Sequence, residues 1–114
     1  MRTRNTQSGG EAYEREKRMA AYFIVDTEKI TDPQMFAEYA QRSAPALEKY
    51  GVKFLGGSAG YETIEGIWQS QGMIILGFED MKHFERWYDS PEYKEILTLR
   101  IQATSSRAIL LPRR

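Results

Sequence analysis

Apolar and polar positions fall into blocks along this chain, and the period of each block predicts an element. Met19–Thr27 (MAAYFIVDT) is dense in β-branched and aromatic residues and apolar on both faces, which predicts a central strand. Alternation puts Tyr22 with Ile24 on one face and Phe23 with Val25 on the other. Thr31-Asp32-Pro33 marks a helix start, because Asp32 can accept from exposed amides and Pro33 at the first helical position has no N–H to leave unpaired. Beyond it, Phe36, Tyr39, Ala40, Ser43, Leu47 and Tyr50 share one face at helical spacing. Pro45 should kink this helix or split it, and Gly51 fits the residue just past its end. Val52–Leu55 predicts a second strand and Gly56–Gly60 a bulge or loop. Tyr61–Glu65 predicts a resumed strand and Gly66–Gly72 a turn. Met73–Phe78 predicts a third strand that pairs with the second as an antiparallel hairpin. Asp80 can cap a helix carrying Met81, Phe84, Trp87 and Tyr88. Asp89-Ser90-Pro91 breaks it, and Ser90 as cap with Pro91 behind it starts another, carrying Tyr93, Ile96, Leu97 and Arg100. Ser105–Leu111 predicts the last strand, stopped by Pro112.

The order β-α-β-β-α-β, with its second helical region in two pieces, predicts an α+β fold: a ferredoxin-like antiparallel sheet with helices on one face. Helices cover only that face. Met19–Val25 and Met73–Leu76 are apolar on both faces, so the uncovered side would expose a large apolar patch. A second copy packed sheet to sheet removes it, which predicts a two-fold homodimer with a barrel-like interior, a dimeric α+β barrel.

Composition narrows the function classes. The 114 residues suit one domain. Residues 1–18 are polar, with Ser8-Gly9-Gly10 and little to bury, and read as a mobile extension ahead of a domain over 19–112; a short helix over Glu11–Arg18 is the alternative. Cysteine is absent, which removes disulfides, thiolate metal sites and cysteine nucleophiles, and fits a cytoplasmic address. With one histidine and no cysteine, neither a metal nor another cofactor is expected. Basic and acidic residues balance at 16 each. Arg2, Arg4, Arg15, Lys17 and Arg18 outnumber Glu11, Glu14 and Glu16 in the extension, so the body is slightly acidic. No concentrated basic face argues for nucleic acid. No apolar run is long enough for a membrane span, and none follows Arg2 and Arg4 to make a secretory signal.

Several runs resemble a known family: Ala20-Ala21-Tyr22-Phe23-Ile24-Val25, Thr31-Asp32-Pro33, Tyr50-Gly51-Val52-Lys53-Phe54-Leu55, Ile64-Glu65-Gly66-Ile67-Trp68, Trp87-Tyr88-Asp89-Ser90-Pro91-Glu92-Tyr93 and Ser105-Ser106-Arg107-Ala108-Ile109-Leu110. Over Met19–Leu111 the chain is similar to the domain of unknown function 1330 family. That resemblance implies a dimeric α+β barrel and no established reaction. Relatives in the wider superfamily include cofactor-independent monooxygenases, haem-degrading enzymes, lactone isomerases and stress-response binding modules, a breadth that makes choice by fold mere analogy. The chain departs from the family pattern at Gly57-Ser58-Ala59, where members often carry Arg-Gly-Gly, and at Gln69–Gly72, where they often carry basic residues.

Candidate chemistry rests on few side chains. Arg100 shares a helical face with Tyr93 and Ile96, and a guanidinium beside an apolar cavity can hold a carboxylate or enolate through two parallel hydrogen bonds. The alternative is a structural pair with Glu65 or Asp26. Tyr88, Ser90 and Tyr93 gather at one helix junction and could orient a carbonyl or phenolic ligand; equally, Ser90 caps and the two tyrosines pack. Glu65, at a strand end, becomes a general base if desolvated. Trp68 could cover a pocket or pack on a partner, and Tyr22 could line the space between sheets. His83 lies off the apolar stripe and reads as exposed. Gly56–Gly60 is no phosphate loop, because it lacks the Lys-Ser/Thr ending and the following helix. Three functions stay open: an isomerase- or oxygenase-like enzyme without a metal, acting on a carboxylated or aromatic metabolite; a non-catalytic ligand-binding or stress-related homodimer; and a structural interaction domain.

Overall fold

A computed structural model describes residues 20–113. The extension over 1–18, its alternative helix and Met19 lie outside the described residues. The elements run β1 (Ala21–Ile30), α1 (Pro33–Lys49), β2 (Lys53–Ser58), β3 (Gly72–Phe78), α2 (Met81–Tyr88), α3 (Pro91–Ala103) and β4 (Thr104–Pro112). The four strands form one sheet in the order β2-β3-β1-β4, with every neighbouring pair antiparallel. This is the ferredoxin-like α+β arrangement that the sequence predicts.

The helix starts follow from their caps. Asp32 Oδ1 accepts from Met35 N at 3.0 Å, Asp80 Oδ1 from His83 N at 2.7 Å, and Ser90 Oγ from Tyr93 N at 3.1 Å. Gly51 follows α1 with φ of 67°, the left-handed residue that closes the helix. Pro45 does not split α1, which runs unbroken to Lys49. Its ring lies on the exposed side, so only one ladder bond is lost.

Register sorts the sheet's two faces. Phe23 pairs with Leu76 on β3 and Leu110 on β4, and it meets Phe84 at 5.2 Å and Trp87 at 5.9 Å between ring centroids. Phe23 and Val25 therefore face the helices. The dry core joins them to Ala21, Leu76, Phe78, Trp87, Tyr93, Ile96 and Leu97. Packing is densest where Trp87 and Tyr93 approach to 4.2 Å. Removing a ring of that size from such a core costs about 3–5 kcal/mol. Tyr22, Ile24 and Asp26 take the opposite, open face. There Ile24 lies between Ile75 and Ile109, and Tyr22 between Gly77 and Leu111. Ile109 and Leu111 remain 59% and 49% exposed.

Two expectations need correction. Tyr61–Glu65 forms no strand: β3 has β1 on one edge and Lys53–Ser58 on the other, so no edge is left to pair with. Residues 59–71 instead form a loop, tied by Tyr61 Oη donating to Trp68 O at 2.9 Å and by Gln71 N donating to Thr27 O at 2.7 Å. The glycine run divides: a register shift falls between Phe54 and Gly56, and Gly57 belongs to β2. A Cβ at Gly57 would stand 2.4 Å from Met73 O, so only glycine permits β2 to approach β3 there.

His83 is buried, not exposed. Its Nδ1 accepts from Glu79 N at 3.0 Å, which leaves the proton on Nε2 to donate to Tyr50 O at 2.6 Å. The ridge that buries α2 is His83–Trp87, four residues apart, while Met81 is exposed. The ring ties the end of α1 to the start of α2.

Candidate functional site

Helix α1 packs chiefly on α3 and stands off the sheet. Only Ala46 of α1 is buried, although the helix carries a full apolar stripe. The gap beneath the stripe is a cavity of about 450 Å³, within the range of small-molecule sites. Phe36, Tyr39, Ala40, Ser43 and Leu47 line it from α1, and Phe23, Val25, Phe54, Ile74 and Leu76 from the sheet. Thr27, Gln71, Trp87 and Arg100 also line it.

Among the described residues Arg100 is the only charged side chain in that lining, and it is 6% exposed. It comes from the last turn of α3, where a cation also meets the negative end of the helix dipole. Its Nη1 donates to Ser106 Oγ at 2.9 Å, and the phenols of Tyr93 and Tyr39 face the guanidinium. Among the described residues no carboxylate pairs with it. Burial works against its charge, but the phenols of Tyr93, Tyr39 and Tyr88 outweigh burial and raise its pKa, so it stays cationic. Among the described residues its Nε has no hydrogen-bond partner.

Tyr39 and Tyr93 share a hydrogen bond of 2.8 Å. Burial, then the neighbouring Tyr93 phenol, pushes the Tyr39 hydroxyl above the ordinary tyrosine range, with Arg100 opposing. Tyr39 is therefore a neutral donor and not a base. Trp87, 1% exposed, also reaches the lining, and its buried Nε1 has no partner among the described residues. Gln71 Oε1 accepts from Ile30 N at 2.8 Å, which leaves its NH2 free to donate.

The residues singled out from sequence do not gather in one place. Arg100 lines the cavity, with Tyr93 directly behind it through Tyr39. Tyr88 stacks on Phe84 at 5.2 Å and meets Phe23, so it belongs to the core beside the cavity. Ser90 caps α3 and donates back to Trp87 O at 2.7 Å. Tyr22 lies on the open face. Glu65 is exposed in the 59–71 loop and makes no ion pair among the described residues. Trp68 lies over the Arg107 guanidinium at 5.7 Å. Arg107 Nε, in turn, donates to buried Asp26 Oδ2 at 3.3 Å, so Asp26 pairs with Arg107 and not with Arg100. Tyr39 and Trp87 were legible only as members of apolar stripes. The available signal was that each carries a hydrogen-bond donor on a largely apolar stripe.

Among the described residues no group of three potential metal ligands occurs, and no helix is long and apolar enough to cross a membrane. No curated protein matches the sequence. Among solved structures, one similar fold is a protein of unknown function from Rhodopseudomonas palustris, at TM-score 0.70 and 18% identity over 96% of this chain and 95% of that one. Another is SnoaB, a cofactor-independent oxygenase from Streptomyces nogalater, at TM-score 0.61 and 18% identity over 84% of this chain and 94% of that one. A dimeric ferredoxin-like protein of unknown function from Thermobifida fusca aligns at TM-score 0.54 and 13% identity, over 82% and 91% of the two chains. At such identities these likenesses speak to the fold alone. The sequence profile of the domain of unknown function family DUF1330 matches residues 20–113, and the chain belongs to that family.

Proposed function

We propose that this protein is a small-molecule protein that binds a carboxylated or aromatic metabolite in the cavity between α1 and the sheet, and acts on it by isomerase- or oxygenase-like chemistry without a metal. One observation carries the reading: a buried guanidinium with no carboxylate partner among the described residues lies in a largely apolar cavity of about 450 Å³. A buried charge normally has a counter-charge, and a ligand anion would supply it. In this reading Arg100 anchors the anion and the Tyr39–Tyr93 pair orients it. The likeness to SnoaB is compatible with such chemistry, since that protein is a cofactor-independent oxygenase.

A second reading is binding without turnover. It is favoured by the absence of Asp, Glu, His or Lys from the cavity lining, so no wall residue is placed to take a proton. Under either reading the active form is a homodimer closed through the open sheet face, which hides Tyr22, Ile24, Ile75, Ile109 and Leu111.

A thermal-shift screen of aromatic and alicyclic carboxylates, phenols and neutral isosteres tests the site, because a ligand selective for the folded state raises the melting temperature. Hits that disappear in Arg100→Met support it. Hits that persist unchanged in that variant place the ligand elsewhere.

A further inference from the structure

The sheet register fixes where the cavity's lining residues stand relative to one another. Arg100 Nη1 bonds Ser106 Oγ at 2.9 Å, and Ser106 pairs with Thr27 between β4 and β1, so the guanidinium lies by that row. Four residues back along β1, Phe23 pairs with Leu76, and Leu76 pairs with Phe54 on the edge strand β2. Arg100 and Phe54 therefore mark opposite corners of the cavity floor. The corners are about 13 Å apart along the strands and about 14 Å apart across them. Val25, Ile74 and Leu76 make the floor between them. The two corners differ in exposure: Arg100 is 6% exposed, whereas Ile74 is 39% and Phe54 61% exposed. Phe54 faces the helix side, since it shares a row with Leu76 and Phe23, yet α1 leaves it uncovered. Gly57, paired with Ile74, adds no side chain that could cover either.

We infer that the cavity takes an elongated monocarboxylate that lies diagonally across the floor, with its acid group at Arg100 and the far end of its apolar body on Phe54. The inference rests on the proposed small-molecule site and adds the length of the ligand, its direction, and Phe54 as the residue that reads its far end. The diagonal is about 19 Å between backbones; the guanidinium and the phenyl ring occupy nearly half of it, which leaves roughly 10 Å, the length of about eight carbons. A short acid would reach Arg100 and leave Phe54 and Ile74 wet. A longer body covers both, and each methylene it buries raises affinity about two- to fourfold. That gain has an end point. β2 is the edge of the sheet, so nothing on that side of Phe54 continues the floor. Methylenes beyond Phe54 pass into water and add nothing.

The test is isothermal titration of the full-length chain with straight-chain acids from hexanoate to dodecanoate. Affinity should rise about two- to fourfold per carbon up to about decanoate and level off beyond it. 1-Adamantanecarboxylate carries as many carbons as undecanoate in a much shorter body, and should bind at least about tenfold more weakly than undecanoate. Phe54→Ser should lower decanoate affinity about five- to tenfold and leave hexanoate within about twofold of the parent. Its melting curve shows whether it is folded; should it fail to fold, the length series and the adamantane comparison on the parent still decide. A flat length series, equal binding of the compact acid, or a decanoate affinity that Phe54→Ser leaves unchanged overturns the inference and leaves the small-molecule site standing. So does a change of sedimentation in Phe54→Ser with no change in the length series, which would mean that a second copy covers the ring. Binding of none of these acids overturns both.

Discussion

Replacing Arg100 by methionine should separate stability from binding, and the structure fixes the sign of each change. The variant loses the bond from Nη1 to Ser106 Oγ, a charge-assisted contact of about 1.5–3 kcal/mol, and the contacts of the guanidinium with the Tyr93 and Tyr39 phenols, which keep each other as partners. Ser106 Oγ keeps Thr104 Oγ1 at 3.2 Å, so it is not orphaned. Against that loss, the variant removes the unpartnered Nε, worth about 1–3 kcal/mol of desolvation, and a charge that no carboxylate offsets. The methionine side chain fills similar space along the apolar walls. These contributions cancel to within about 2 kcal/mol, so urea or thermal melts should place Arg100→Met close to the parent, on either side of it. Ligand affinity should move far more. A carboxylate or phenolate that loses its guanidinium forfeits about 1.5–3 kcal/mol, which is about ten- to a hundredfold in Kd. Isothermal titration with a hit from the carboxylate screen measures that change directly. A variant that melts well below the parent yet binds the same anion as tightly would refute the reasoning, and would make Arg100 a structural strut between α3 and β4.

Four further outcomes follow from named contacts. His83→Phe should cost about 2–4 kcal/mol in denaturant unfolding, because Glu79 N and Tyr50 O both lose a partner in a buried site. Gly57→Ala should destabilise by more than the ordinary cost of a surface substitution, since its Cβ meets backbone atoms of Met73 and Ile74 that cannot give way. The Lys49 ammonium, then the backbone at residue 92 and the Tyr50 hydroxyl, lower the Glu92 pKa from 4.5 to about 2. Its contribution to stability is therefore full above about pH 4.5 and disappears as pH falls towards 2, and Glu92→Gln should flatten the fall in melting temperature across that window, more so at low salt. In the proposed dimer, Ile109→Asp should shift the protein towards monomer in sedimentation velocity, because two-fold symmetry would put the new charge into the covered sheet face twice.

Much of the fold was legible because each helix start carries its own chemistry. Asp32-Pro33, Asp80 and Ser90-Pro91 mark their helices whatever surrounds them, and the observed caps use the predicted side chains. What escaped depends on contacts distant in sequence. Tyr61–Glu65 looks like a strand by composition, but whether a strand forms is decided by a free edge, and β2 had taken it. His83 looked exposed because the apolar letters Met81, Phe84 and Tyr88 centred the stripe one position away. Its two partners are backbone groups, which no side-chain pattern reveals. The cavity is the clearest case. An apolar stripe on α1 reads the same whether it meets a sheet or a void, and the sequence contains nothing that sets the distance between α1 and β3. Arg100 could be singled out as a cation on an apolar face, but its lack of a carboxylate could not, because Asp26 and Glu65 were both plausible partners until the register put Asp26 beside Arg107.

The pleat of one strand explains how this small sheet can support two different surfaces. On β1, Phe23, Val25 and Thr27 point towards the helices, and Tyr22, Ile24 and Asp26 point away. The first set forms core and cavity wall; the second forms the open face that we propose a second copy covers. Neither set can be moved without moving the other, since a slip of one residue would exchange them all. The register is held by hydrophobic rows on both sides, Phe23–Leu76 on the one and Ile24–Ile75 on the other. Closure of the proposed dimer should therefore rigidify β1 and β3 from behind the cavity while Arg100 stays a property of the single chain, and weakening the sheet interface should soften the site before it abolishes binding.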